Sequence, residues 1–254
     1  MFRCKQFVVH QHNCAMKVNT DSLILGSWLD ATQSKVSLDI GTGTGILALM
    51  LAQKTSTSAR IQAIDIDEGA VRQASENVAE STWANKVSVA HCDLSQFSPS
   101  GVLEPINPIE PTQHNDIFDL IVCNPPYFEQ VQGESRGFST QSAQRKIARQ
   151  TISLNPNTLF TFAAQHLRSD GTLYVVYPYS REKEIIAYAV ESGLHLHKIL
   201  RVRHNAQRDL YLSAFCFGKQ TSATHQMSEL IIRDEAGAYS SAFKELCRDF
   251  YIHF

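Results

Sequence analysis

The stretch Val36-Ser37-Leu38-Asp39-Ile40-Gly41-Thr42-Gly43-Thr44-Gly45-Ile46 decides the reading of this chain. A short apolar run delivers an acid and then three glycines on alternate positions, after which Ile46 to Lys54 spaces apolar residues at helical intervals. Strand, glycine turn and helix in that order open a βαβ unit. Glycine permits positive φ and lets a ligand approach the backbone closely. A dinucleotide fingerprint needs G-x-G-x-x-G to seat a pyrophosphate on the helix N-terminus. Here the third glycine comes one residue early, which disfavours NAD.

Outward from this unit the same rhythm repeats. Strands are predicted at Arg60 to Asp65, Val87 to Cys92, Phe118 to Cys123 and Thr172 to Tyr177, with helices at Glu68 to Ser81, Pro156 to Leu167 and Arg181 to Glu191. Gly171 and Gly193 are expected to end helices. Leu194 to Val202 and Tyr211 to Gly218 then follow each other without a helix and read as a hairpin. The expectation is an α/β, seven-stranded, mostly parallel sheet closed by a C-terminal antiparallel hairpin. By analogy of strand order this is the class I (Rossmann-like) methyltransferase fold.

A chain of 254 residues, 43% hydrophobic and 19% charged, suits one globular α/β domain. The N-terminal residues carry no apolar run long enough for a signal peptide and no stretch is long enough to span a bilayer, so a cytoplasmic location without membrane attachment is expected. Six cysteines without a C-x-x-C pair point to free thiols. His10 and His12 are not expected to bind metal. A formal charge of −2 excludes a broadly basic nucleic-acid-binding surface, so any RNA must be met locally. Two windows are each locally +4: Ser135 to Gln150, with Arg136, Arg145, Lys146 and Arg149, and His195 to Arg208, with Lys198, Arg201, Arg203 and Arg208. The first reads equally as a phosphate contact or a solvated face, the second as a solvated face.

Three acids stand at C-terminal strand ends, where open α/β sheets bind ligands: Asp39, Asp65 and Asp93. Together with Gly41, Gly43 and Gly45 they suit S-adenosylmethionine, which lacks a phosphate and carries a cationic sulfonium and an ammonium group. Asp39 is expected to face that cationic end directly or through water, Asp65 to accept the ribose hydroxyls and Asp93 to accept from the adenine amine. Asp67 reads as a helix cap.

The fourth strand delivers Asn124-Pro125-Pro126-Tyr127 beside this site. An adenine amine or a carboxamide nitrogen is a poor nucleophile because its lone pair is delocalised. The side-chain oxygen of Asn124 and the carbonyl of Pro125 each offer an acceptor for one N–H, steering that lone pair. Consecutive prolines fix φ and lack competing N–H groups. Tyr127 offers a face on which an unstacked base can lie.

Several motifs together carry a family resemblance: Lys5-Gln6-Phe7, Cys14-Ala15-Met16-Lys17-Val18-x-Thr20-Asp21, Leu25-Gly26-x-Trp28, the glycine loop and the N-P-P-Y tetrad. With them the chain resembles, over nearly its whole length, bacterial tRNA1(Val) (adenine(37)-N6)-methyltransferases. The resemblance implies transfer of a methyl group from S-adenosylmethionine to the N6 of adenine 37 in a tRNA anticodon loop. It also implies that Lys17 and Thr20 bind the cofactor, Asn124 included in that set, and that Asp21 and Pro126 meet the substrate. Arg136, Arg145, Lys146 and Arg149 are expected on RNA phosphates. The expected organisation is one domain over residues 1–254, with 1–35 capping the pocket, 98–116 a proline-rich insertion and 228–254 a docking segment.

Other readings stay open on the residues alone. Release-factor glutamine methyltransferases share N-P-P-Y, but normally carry a helical domain that the 38 residues before Asp39 are too short to form. A ribosomal RNA guanine-N2 enzyme is less favoured by Tyr127, where phenylalanine is common. A non-catalytic RNA-binding protein on the same fold would be expected to have lost the loop or the tetrad.

Overall fold

The computed structural model describes residues 1–12, 14, 16–97, 117–126, 154–221 and 224–252. A two-stranded antiparallel ribbon, β1 (Phe2–Arg3) and β2 (Val8–Val9), leads into α1 (Thr20–Trp28). There follow β3 (Val36–Ile40), α2 (Ile46–Lys54), β4 (Arg60–Asp65), α3 (Glu68–Ala79), β5 (Val87–His91) and β6 (Phe118–Cys123). The second half contains α4 (Pro156–His166), β7 (Leu167–Pro178), α5 (Glu182–Glu191), β8 (His195–Arg203), β9 (Leu210–Gly218), β10 (Gln226–Ile231) and α6 (Ser241–Cys247).

The main sheet runs β10-β8-β9-β7-β6-β3-β4-β5. Among the described strands of this sheet only β9 is antiparallel to its neighbours; the others share one direction. The glycine-loop strand β3 lies between β4 and β6, so Asp39 pairs with Ala63 on one side and Val122 on the other. Both faces are covered. Leu120 and Val122 enter one hydrophobic cluster with α1 and α2, while Ile121 and Cys123 enter the other with α4 and α5. That alternation is the two-residue period of a strand buried on both sides.

The sheet has one strand more than the seven expected. β10 pairs parallel with β8, from Gln226 against Lys198 to Ile231 against Arg203. Four of its six residues are exposed, so this polar edge strand carries no apolar alternation to betray it. Gly193 ends α5 with φ 82°, as expected. Gly171 does not end a helix. It lies within β7 at the irregularity that shifts the β6/β7 register, and a Cβ there would approach the Phe118 carbonyl oxygen to 2.8 Å.

Candidate active site

At the C-terminal edge of β3, β4, β5 and β6 lies a cavity of about 600 Å³, within the usual range for a small-molecule site. Of the residues singled out in the sequence, Lys17, Gly41, Gly43, Asp65, Asp93, Asn124, Pro125 and Pro126 line it; Thr20, Asp21, Asp39 and Gly45 do not. Tyr127, Arg136, Arg145, Lys146, Arg149 and the 98–116 insertion lie outside the described residues.

The loop folds back on β4, with the N–H groups of Gly41 and Thr42 both donating to the Ile64 carbonyl. Gly41, Gly43 and Gly45 all have positive φ. A Cβ on Gly41 or Gly43 would meet nothing within 4 Å, so the backbone there borders open space that a ligand can approach. Gly45 serves a different purpose: its Cβ would press to 3.3 Å on Ala74 of α3.

Asp39 corrects the sequence expectation. Its side chain is fully buried behind the loop, where Oδ2 accepts from Thr42 Oγ1 at 2.6 Å and from the Ala48 N–H at 3.1 Å. The Gly45 N-cap of α2 has no side chain to satisfy the first-turn N–H groups, so Asp39 supplies that cap from the preceding strand. Its other oxygen, Oδ1, is buried without a partner among the described residues. Burial pushes the Asp39 carboxyl up to about 7, against the pull of its two hydrogen bonds.

Asp65 is positioned by backbone. Oδ2 accepts from the Gly43 N–H at 2.8 Å and Oδ1 from the Asp67 N–H at 3.0 Å, and the carboxylate borders the cavity. Burial raises its pKa despite these bonds. Asp67 caps α3 through the Gly69 N–H, as expected. Asp93 caps a 3₁₀ turn, Leu94–Gln96, through the Ser95 N–H and hydroxyl, which hold its pKa down. Each carboxylate oxygen has a further lone pair, so capping leaves Asp65 and Asp93 able to accept from a ligand.

At the end of β6, Asn124 Nδ2 donates to Ser22 Oγ at 2.8 Å. Its Oδ1 is buried and has no partner among the described residues. Ser22 also borders the cavity and was not singled out in the sequence. The available signal was Asn19-x-x-Ser22, a helix-cap spacing. Asn19 is the N-cap of α1, with Oδ1 accepting from the Ser22 N–H.

The N-terminal strap is tied to α3, where Asn77 accepts from the His10 N–H and donates to the His10 and Thr44 carbonyls, and Gln73 accepts from the His12 N–H. One side chain thereby links the strap to the glycine loop. Among the described residues no cluster of three His, Cys, Asp or Glu side chains is arranged for a metal, and no helix is long and apolar enough to cross a membrane. The basic window at β8 is partly neutralised: Glu182 grips Arg201 bidentately and Glu229 pairs with Arg203.

A parallel sheet with its reversed β9, a glycine loop opening on a carboxylate-lined cavity, and Asn-Pro-Pro at the next strand end define a class I methyltransferase using S-adenosylmethionine. Residues 8–192 match the family model of the Methyltransferase small domain. A tRNA1(Val) (adenine(37)-N6)-methyltransferase of Haemophilus influenzae is 37% identical over 254 residues, covering 100% of this chain and 99% of its own. One from Photorhabdus laumondii is 34% identical over 253 residues, covering 100% of this chain and 96% of its own. The chain belongs to the tRNA1(Val) (adenine(37)-N6)-methyltransferase family. The fold is shared with a structure described as a predicted O-methyltransferase from Agrobacterium tumefaciens, with TM-score 0.61 at 16% identity over 91% of this chain and 96% of that one.

Proposed function

We propose that the protein methylates the N6 of adenine 37 in the anticodon loop of tRNA1(Val), acting in the cytoplasm. The observation that carries the chemistry is Asn124 on the wall of the cavity, with its buried Oδ1 lacking a hydrogen-bond partner among the described residues. A buried acceptor without a donor costs stability, on the order of 1–3 kcal/mol, and an amine N–H offers what it lacks. Support for tRNA as the source of that amine comes from the relatives' names.

S-adenosylmethionine supplies an electrophilic methyl group on a sulfonium. Asn124 Oδ1 accepts one N–H of the adenine amine and the Pro125 carbonyl the other, which directs the nitrogen lone pair toward the donor. As positive charge develops on the nitrogen, both acceptor dipoles strengthen their hold. When the cofactor is bound, Asp65 would accept its ribose hydroxyls and Asp93 its adenine amine, and Lys17 and Thr20 would complete the set of residues that hold it. The loop glycines Gly41 and Gly43 admit the cofactor to the backbone. Asp39 and Gly45 act on the cofactor through the shape of the loop. Asp21 and Pro126 meet the target base, Tyr127 stacks on it, and Arg136, Arg145, Lys146 and Arg149 take RNA phosphates.

The test is methyl transfer from labelled cofactor to tRNA1(Val) isolated without its modification, followed by nucleoside analysis. N6-methyladenosine at position 37 is expected. Label in a guanine, or in a release-factor glutamine instead, would overturn this reading.

A further inference from the structure

We infer that Ser22 is a positioning residue that sets which end of the Asn124 amide meets the substrate nitrogen, through a hydrogen-bond relay that starts at the N-cap of α1. The inference rests on the reading of Asn124 as the acceptor for the amine. A primary amide is nearly symmetric in shape, and turning it over exchanges an acceptor for a donor at little steric cost. An Asn124 turned the wrong way would point N–H groups at the N–H groups of an amine. Some neighbour must therefore break the symmetry.

Each donor in the relay is compelled by the one before it. The backbone N–H of Ser22 can only donate, so the Asn19 atom 2.9 Å away must be its carbonyl oxygen. The same oxygen lies 3.0 Å from Ser22 Oγ, and because it bears no hydrogen it claims the single hydroxyl proton of Ser22. Ser22 Oγ then has only lone pairs to offer at 2.8 Å from Asn124, which must answer with Nδ2. The Asn124 oxygen is left pointing away, buried and without a partner among the described residues. No member of the relay titrates at ordinary pH, so its direction is independent of pH. Its origin is a helix cap, so the amide acquires its orientation only when α1 is folded against β6.

The experiment compares the wild type with Ser22→Ala and Ser22→Thr, using tRNA1(Val) that carries either adenosine or inosine at position 37. Inosine replaces the amine with a carbonyl oxygen, which the oxygen of a correctly oriented Asn124 repels and to which the amide N–H of an inverted one donates. Removing the Ser22 hydroxyl should lower kcat about 10- to 100-fold, with cofactor affinity and melting temperature near wild type. The wild type should bind the adenosine RNA about tenfold more tightly than the inosine RNA, and Ser22→Ala should bring the two within about twofold. Ser22→Thr, which keeps the hydroxyl, should restore both values. Should Ser22→Ala fail to fold, Ser22→Cys, with a similar volume and only a weak acceptor, carries the same expectation.

A Ser22→Ala enzyme with wild-type kcat and wild-type discrimination overturns the relay, as does a loss of kcat that leaves the discrimination intact. A wild type that makes no N6-methyladenosine fails the functional reading instead, and takes the relay with it.

Discussion

Asn124 and Asp39 occupy the ends of adjacent strands, and each holds a buried side-chain oxygen without a partner among the described residues, yet the two oxygens ask for different things. The Asn124 oxygen is neutral, belongs to a residue that lines the cavity and has no donor among the described residues. Asn124→Ala is accordingly expected to lower kcat by about 10²- to 10³-fold, the scale for one polar group acting at a transition state, while calorimetry shows nearly unchanged cofactor affinity. The Asp39 oxygen belongs to a carboxyl that burial pushes up to about 7, with Oδ2 engaged by two donors, leaving Oδ1 to carry the proton. The unfolded chain releases that proton near the ordinary value of 3.8, so between there and about 7 the folded state binds more protons. Its contribution to stability is greatest on the acid side and falls as pH rises through that window. Denaturant midpoints measured from pH 5 to pH 8 should therefore decline more steeply in the wild type than in Asp39→Asn. The acid was legible in the sequence as part of the site, but not its orientation. Its cap partner, the Ala48 N–H, lies across the loop, and the strand pattern does not say whether a strand-end carboxylate faces the ligand or the helix behind it.

Among the elements, the β3, α2, β4 and β6 boundaries coincide with those read from apolar spacing, because each element buries a continuous side and glycine or acid marks its end. The glycine loop adds a packing demand to this local logic. Gly45→Ala meets both a φ of 81° and the Ala74 contact, and is expected to cost roughly 1–3 kcal/mol in chemical denaturation. Besides the short β1/β2 ribbon, two elements escaped the reading for opposite reasons. In α1, Ser22 to Gly26 are five consecutive buried residues, so no apolar stripe stands out against a polar one. In β10, exposure of most side chains removes the alternation instead. The loss of α1 mattered most, since its cap and its third residue orient Asn124.

Across the molecule the two ends of the chain meet. The Lys5 N–H donates to the Phe250 carbonyl, Cys4 bridges to Tyr251, and Phe2 stacks on Tyr251. Phe250 is 1% exposed and joins the same core cluster as α1 and α2. Phe250→Ala is expected to cost about 3–5 kcal/mol and to lower the melting temperature without a selective effect on cofactor binding, checked by calorimetry of both. Charge obeys the same long-range logic. The four cations between His195 and Arg208 looked uncompensated along the chain, yet Glu182 from α5 and Glu229 from β10 reach Arg201 and Arg203. The sequence by itself determined the alternation of strands and helices, the glycine loop at the first strand end and the Asn-Pro-Pro turn at the fourth, because these follow from local periodicity and backbone chemistry. Only the tertiary structure decided that Asp39 turns inward to cap α2 and that Ser22, 102 residues before Asn124, meets its amide. The way a polar side chain turns depends on the donor or acceptor that folding brings beside it, and here that partner comes from another element.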